Sequence, residues 1–447
     1  MHLPIGRGEE VVAKLIITGG VPLQGTVSVS GAKNAALPMM AAAILADAPV
    51  ELCGVPRLTD VRTMSRLLHH LGVDVAPNGD CLTLTPGDTR ATQAGYASVR
   101  RMRAGFCVLG PLLARRGRAV VPLPGGCDIG DRPVDLHLRG LAALGADLRL
   151  ERGYVLGTAA RLRGATIDLC GPRGPTVTGT ANVLCAAVLA RGRTVIRGAA
   201  CEPEIADLGR MLNVLGARVC GLGTPTIEVD GVERLGGGSY RIIPDRIEAA
   251  TLMLAAAITG GGANVVGVVP EHLNTFLASL EASGISIDVQ ADRVTVRASG
   301  QPLAVSASAE PYPGLPTDLQ AHWTAFTATA AGPSLVEDRV FPMRWGHVAE
   351  LNRLGANLHC VPGGVKIAGC CRYQGAEVAA TDLRASAALI LASLAARGTS
   401  VVHAAHHLER GYERLDLKLA QLGARIERLS PLETTDGGVS RSLGSRL

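Results

Sequence analysis

Aromatic side chains are scarce: 4 Phe, 2 Trp and 6 Tyr among 447 residues, or 3%. Single-stranded nucleic acid is held largely by bases stacking on aromatic rings, so the scarcity argues against such a partner. Charge of one sign is never concentrated either. The net charge of +5 is dispersed along the chain, which suits small anions better than a polyanion. Apolar runs of bilayer length are missing. The longest, such as Ala385 to Ala396, have the length of a buried helix, and no membrane contact is expected. Met1 to Lys14 carry Arg7, Glu9 and Glu10 without a long apolar core, so no secretory signal is expected. No cysteine pair has zinc-ligand spacing. The 11 cysteines are odd in number and scattered, with Cys370 and Cys371 adjacent, which predicts a reducing, cytoplasmic setting.

What is present is a compact, turn-rich chain: 47% apolar, 19% charged, with 55 Gly and 25 Pro. Its length exceeds what one hydrophobic core supports, so two domains are expected. One phrase returns about every 70 residues: His70-Leu71-Gly72-Val73, Ala143-Leu144-Gly145-Ala146, Val214-Leu215-Gly216-Ala217, Ala282-Ser283-Gly284-Ile285, Arg353-Leu354-Gly355-Ala356 and Gln421-Leu422-Gly423-Ala424. Each phrase closes an amphipathic helix, such as Val61 to Leu71 or Pro203 to Leu215, and its glycine suits a left-handed cap. An alternating strand pattern follows, as in Ala217-Arg218-Val219-Cys220.

Before each phrase lies a second helix that is apolar nearly all round: Ala35 to Leu45, Phe106 to Ala114, Ala181 to Ala190, Ala249 to Ile258, Ala321 to Ala331 and Ala385 to Ala396. Such helices must be buried on every side. Six units divide into two groups of three, with the boundary at Tyr240-Arg241-Ile242-Ile243-Pro244-Asp245. The opening strand pattern Leu23 to Ser30 is compatible with either half.

Cys127 stands apart from the cysteines in apolar runs. It lies in Leu123-Pro124-Gly125-Gly126-Cys127-Asp128-Ile129-Gly130-Asp131-Arg132-Pro133-Val134-Asp135-Leu136-His137, where glycines and prolines write a loop and a guanidinium close by favours thiolate. A surface turn with an idle thiol is the plainer alternative.

The repeat and this loop, together with Ser30-Gly31-Ala32-Lys33-Asn34-Ala35-Ala36-Leu37-Pro38, Pro316-Thr317-Asp318-Leu319-Gln320-Ala321, Thr381-Asp382-Leu383-Arg384-Ala385-Ser386 and Arg410-Gly411-Tyr412-Glu413-Arg414, make the chain resemble the enolpyruvyl transferases from about Leu15 to Glu427. The resemblance implies an α/β fold of two inverted, inside-out barrels with three units each. The first domain would be 33–243; the second would be 12–32 plus 244–430, with 1–11 and 431–447 as terminal extensions. The active site would lie in the cleft between them.

The implied reaction moves the enolpyruvyl group of phosphoenolpyruvate to a hydroxyl of a uridine nucleotide and releases phosphate. The acceptor expected first is the 3-hydroxyl of UDP-N-acetylglucosamine. Another uridine acceptor such as UMP is the alternative, and a non-catalytic uridine-nucleotide binder is a remote one. Phosphoenolpyruvate carries a carboxylate and a phosphate, so it needs several fixed cations. The matching positions are Lys33, Arg103, Arg132, Arg384 and Arg410. Cations split between two lobes repel until an anion arrives, so substrate-driven closure is expected.

By resemblance, Asp318 takes the proton of the acceptor hydroxyl, Cys127 adds to phosphoenolpyruvate or protonates it, and Lys33 and Arg410 complete the catalytic set, with Asp382 in support. The uridine nucleotide falls to Asn34, Arg132, Pro133, Val134, Asp135, Leu136, Thr176, Val177, Thr178, Asp318 and Val340. No metal or cofactor is implied, and His403, His406 and His407 read as surface polarity. The chain departs from the family pattern on the acceptor side. It has Thr176-Val177-Thr178-Gly179-Thr180 for Ser-Val-Gly-Ala-Thr, Cys201-Glu202-Pro203-Glu204 for Arg-Glu-Pro-Glu, and Val340-Phe341-Pro342-Met343-Arg344-Trp345 for Val-Phe-Glu-Asn-Arg-Phe. A threonine in place of glycine adds bulk where a pyrophosphate would approach the backbone.

Overall fold

Six helices with little or no polar face, most of them rich in alanine, organise the chain by their burial. The computed structural model describes residues 13–87, 90–125 and 133–429. Helix Arg246–Ile258 is buried at all of its positions, and Asp245 caps it by accepting from the backbone N–H groups of Ile247 and Glu248 at 2.8 and 3.1 Å. Such a cap satisfies amides that have no partner within the helix. Helix Leu383–Ala395 is capped in the same way by Asp382. These two pack together with Gln320–Thr327, while Lys33–Ala42, Leu109–Arg116 and Val177–Ala187 form the corresponding group in the first part of the chain. Where the sequence predicts one helix over Phe106 to Ala114, the chain makes a 3-10 stretch, Arg103–Val108, and then Leu109–Arg116. Pro111 is tolerated there because it falls in the first turn, where its missing N–H costs no helix bond.

The half-exposed helices end as the repeat requires. Gly72, Gly145, Gly216, Gly284, Gly355 and Gly423 all have φ between 74° and 103°, a region that carries no Cβ penalty only for glycine. Each unit adds a sheet of three or four strands. In one, Gly262–Val266 runs parallel to Gln24–Ser28 and antiparallel to Arg293–Arg297, which pairs with Ser286–Gln290. The same order recurs as Ala307–Ala309, Ser334–Asp338, Gly364–Ile367 and Leu358–Val361. Strands such as Thr226–Asp230 alternate exposed and buried positions, so one sheet face meets the helices and the other meets water. The fold is therefore mixed α/β. No sheet among the described residues closes on itself, so the barrel expectation has no hydrogen-bonded counterpart; helices, not strands, fill the interior.

Two separate apolar cores result. One runs from Ala32 to Ile242, and the other gathers Leu15 to Val27 with Ile247 to Leu422. The opening strand pattern joins the second, because Gln24–Ser28 pairs with Gly262–Val266. The chain crosses between the cores at two adjacent segments, tied by Ala32 N–H to Ile243 O and by Asp245 N–H to Ser30 O, both 2.8 Å. Gly31 sits at this crossing, where a Cβ would lie 2.0 Å from the Gly54 carbonyl oxygen, so no larger residue fits.

One cysteine pair departs from the expectation of free thiols. Cys53 and Cys81 face each other in antiparallel register and are joined as a disulfide. Pairing register, not sequence spacing, brings them together, so spacing gave no sign of it.

Burial sets the expected stability effects. Leu254→Ala, in the wholly buried Arg246–Ile258 helix, is expected to cost about 2–5 kcal/mol. Leu150→Ala, at a side chain 60% exposed, is expected to cost less than about 0.5 kcal/mol. Urea unfolding midpoints check both.

Candidate active site

Asp318 stands in a short 3-10 turn, Thr317–Leu319, where Pro316 turns the chain into helix Gln320–Thr327. Its two carboxylate oxygens take different arginines: Oδ1 accepts from Arg344 Nη1 at 3.0 Å and Oδ2 from Arg384 Nη2 at 2.7 Å. Burial pushes the Asp318 carboxyl up, but Arg384 and Arg344 overcome it and hold the group well below the ordinary carboxylate value of 3.8. Arg384 is placed by the first turn of its helix and lies over the ring of Tyr412, 5.5 Å from its centre. Asp382, the cap of that helix, lies 3.8 Å from Arg344 Nη2. Nη1 of Arg384 is buried without a hydrogen-bond partner among the described residues, so a donor there awaits an acceptor.

The other lobe supplies a second cluster. Lys33, at the first position of helix Lys33–Ala42, reaches Asp60 at 2.9 Å, and Arg410 reaches the other oxygen of Asp60 at 3.1 Å. Asp60 is 3% exposed. Arg410 belongs to the second core's part of the chain and also donates to Arg101 O at 3.4 Å. Asn34 joins the two clusters, its Nδ2 lying 3.5 Å from Asp318 Oδ2. Lys33, Asn34, Asp318, Arg384, Arg410 and Asp382 are thus brought into one region with both lobes represented. Arg103 is turned toward the loop, with Nη2 3.4 Å from Pro133 O. Cys127 and Arg132 lie outside the described residues.

The expected nucleotide residues form two groups. Pro133 and Val134 lead into helix Asp135–Ala143, which begins with Asp135 and Leu136 and packs against helix Val177–Ala187. Thr176 caps the latter, accepting from Gly179 N–H at 3.2 Å. Thr178 is tied to the buried His137 by a chain of bonds with a defined sense. Asn182 Oδ1 accepts from Gly110 N–H at 2.6 Å, and its Nδ2 donates to Phe106 O at 2.9 Å and to His137 Nδ1 at 3.0 Å. Nδ1 is therefore an acceptor, and the ring proton on Nε2 is donated to Thr178 Oγ1 at 3.2 Å. Burial and then Arg103 depress His137 to about 3, which keeps the ring neutral. Val340 is set apart in a turn held by Asp338, which accepts from Val340 and Phe341 N–H at 2.9 and 2.7 Å.

Asp60, Arg344, His137 and Asn182 are the residues that sequence reasoning did not select. Arg344 stood inside the Val340 to Trp345 stretch, in which only the departures drew notice. Asp60 had no motif at all. His403 meets Glu377 at 3.5 Å and the rings of His406 and His407 lie 4.2 Å apart, with no shared metal geometry. Among the described residues the one group with metal-ligand spacing is Glu51, Cys53 and Cys81, and its sulfurs are bonded to each other. No described helix is long and apolar enough to cross a membrane.

Repeated α/β units around two cores thus bring together two buried carboxylates, each held by two cations. Solved structures of the same architecture include the enolpyruvyl transferase NikO from Streptomyces tendae, at a TM-score of 0.84, 26% identity, and coverage of 94% of this chain and 100% of that one. An EPSP synthase from Acinetobacter baumannii, at 0.71 and 18% identity with the same coverage, shares the fold. The chain belongs to the EPSP synthase (3-phosphoshikimate 1-carboxyvinyltransferase) family, whose sequence pattern matches residues 17–419. The UDP-N-acetylglucosamine 1-carboxyvinyltransferase of Akkermansia muciniphila is 46% identical over 419 residues, covering 93% of this chain and 98% of its own length. That of Coxiella burnetii is 46% identical over 420 residues, with 93% and 96% covered. The chain is accordingly an enolpyruvyl (carboxyvinyl) transferase.

Asp318 sets a pH signature. Because its folded-state pKa is depressed, the stability it contributes is complete above its unfolded value and is lost as pH falls through the folded one. Arg384→Met, which leaves Asp318 paired with Arg344 alone, is expected to cost about 1–3 kcal/mol at neutral pH. The same change raises the Asp318 pKa, moving the acid loss to higher pH. Urea unfolding between pH 3 and 8 measures both effects; an unchanged acid limb would show that Arg384 does not govern this carboxyl.

Proposed function

We propose that the chain transfers the enolpyruvyl group of phosphoenolpyruvate to the 3-hydroxyl of UDP-N-acetylglucosamine, releasing phosphate, as a cytoplasmic step toward peptidoglycan precursors. The observation that carries this reading is the Asn34 to Asp318 contact, 3.5 Å, which brings the Lys33–Asp60–Arg410 and Arg344–Asp318–Arg384 clusters together. Two cores that divide near Ile242 support two domains, 33–243 and 12–32 plus 244–430, each with its apolar helices inside in the manner of an inverted barrel.

Four cations facing two carboxylates leave room for a doubly anionic molecule. In this reading Lys33, Arg103, Arg132, Arg384 and Arg410 bind the phosphate and carboxylate of phosphoenolpyruvate. Held by two arginines, Asp318 is a weak base. An anionic substrate that engages Arg384 shares its charge and raises the proton affinity of Asp318 beside the acceptor hydroxyl. Cys127 then adds to the enol carbon or delivers the proton to the methylene. Once the methylene has taken up its proton, the acceptor oxygen bonds to the former enol carbon, displacing the thiol where it had added, as the hydroxyl proton passes to Asp318; the tetrahedral adduct then loses phosphate and one methyl proton to give the enol ether. Pro133, Val134, Asp135 and Leu136 take the uracil end, and Thr176, Val177 and Thr178 the phosphate end.

A second reading, with UMP as acceptor, is favoured by Thr178, whose side chain occupies the first turn of Val177–Ala187 and is fixed there by His137. Phosphate release with phosphoenolpyruvate and either nucleotide separates the two. Turnover with UDP-N-acetylglucosamine is expected; turnover with UMP alone would overturn the first reading. Arg410→Ala is expected to lower kcat/KM for phosphoenolpyruvate by about 100-fold or more, as loss of one member of a buried ion cluster implies. Fosfomycin is expected to label Cys127 among the 11 cysteines, read by peptide mass.

A further inference from the structure

Away from the cleft, the crossing between the two cores forms the floor of an open groove of about 980 Å³. Ser30, Gly31, Ile242 and Pro244 lie along it, and none of Lys33, Asp60, Asp318, Arg384 or Arg410 does. Its size is that of a small-molecule site. Cys81 is part of the wall, whereas its partner Cys53 is 9% exposed. The disulfide therefore meets the groove through Cys81, and Cys53 is not part of its lining.

The groove's lining carries a small excess of cations, while a Glu51 carboxylate oxygen lies within 4.8 Å of both sulfurs. Arg57, Arg62 and Arg241 line it against Asp80 and Glu413. Asp80, the neighbour of Cys81, has Oδ1 3.3 Å from Cys81 Sγ and its other oxygen 2.7 Å from Arg241, an exposed pair that offsets part of its charge. Arg62 donates once, to Thr59 Oγ1 at 3.0 Å, and Arg57 meets no ion-pair partner among the described residues. A thiolate is the attacking species in disulfide exchange, and nearby cations draw it in.

We propose that Cys53–Cys81 is a thiol–disulfide exchange site and that the groove receives a low-molecular-weight thiol bearing carboxylates. The incoming thiolate attacks Cys81 Sγ, forming a mixed disulfide. The Cys53–Cys81 bond breaks, and its electron pair leaves on Cys53 as a thiolate that takes up one proton. Ser239 Oγ, 3.9 Å from Cys53 Sγ, is placed to donate to that thiolate. A second molecule of the thiol then releases Cys81 as a free thiol and departs as the small-molecule disulfide. Two electrons pass from two thiols to one protein disulfide. Cys53 adjoins Gly54, whose carbonyl packs on Gly31, and Cys81 adjoins Asp80, which grips Arg241. The bond thus clamps the two turn residues on which both crossing segments rest, and the mixed disulfide places its adduct against them.

The test uses the full chain purified without reductant. After denaturation, two fewer free thiols than the 11 in the sequence are expected, with the Cys53 and Cys81 peptides linked in non-reducing peptide masses. A full complement of thiols would overturn the proposal. Glutathione and the uncharged 2-mercaptoethanol are then compared as reductants, following the linked peptides. The double variant Arg57→Ala/Arg62→Ala, both at exposed positions, is expected to slow reduction by glutathione about tenfold, since a local field raises encounter rates by at least that factor. The rate with 2-mercaptoethanol is expected to stay within about twofold. Equal slowing of both reductants, or slowing of neither, would overturn the groove's role.

Discussion

Asp318 held between two buried arginines is the interaction on which the site depends. Each arginine enters from a different element, one from the turn after Ser334–Asp338 and one from the first turn of Leu383–Ala395. Removing either arginine leaves one oxygen of the buried carboxylate without its donor, so the three must be assembled together. Among the described residues, the first lobe hydrogen-bonds to this triad through Asn34, one residue from the Lys33 that engages Asp60. Helix Lys33–Ala42 is itself buried, which fixes both side chains at its start. The apolar interior therefore aims the polar site: helices without a polar face have one defined position, and their first turns are delivered to the cleft.

The same economy explains why charge is spread evenly along the chain. The cations that matter are far apart in sequence and become neighbours only when the cores form. Asp60 pairs with Lys33 and Arg410, the latter 350 residues away. In the low-dielectric surroundings of the cleft such pairs are costly to build and costly to break. In the proposed reading, a substrate with two negative groups would relieve the cation excess and tie binding to the approach of the lobes.

Much of the fold was legible because it follows local rules. The glycines from Gly72 to Gly423 needed a left-handed backbone, and all six have it. The run Ala249 to Ile258 had no face to give to water and is buried throughout. The site was legible where a motif surrounds a residue, as around Asp318, Asp382 and Arg384. Asp60 escaped notice because its partners come from remote positions, and nothing in Thr59-Asp60-Val61-Arg62 marks a buried carboxylate. His137 and Asn182 were missed for the same reason, since their bonds to Thr178, Gly110 and Phe106 exist only after packing. The Cys53–Cys81 bond depends on strand register, which spacing does not encode. Thr178 shows the reverse case: the sequence marked it as a departure, and the structure supplies the bond that holds it.

The central claim is that one small dianion bridges cations drawn from both lobes. A double-mutant cycle on phosphoenolpyruvate binding, by titration calorimetry with Arg384→Met, Arg410→Ala and the pair, tests it most directly. The account predicts a coupling above about 1 kcal/mol, because both arginines share one ligand. Losses that add within about 0.5 kcal/mol would mean that the two clusters act independently, and would contradict it.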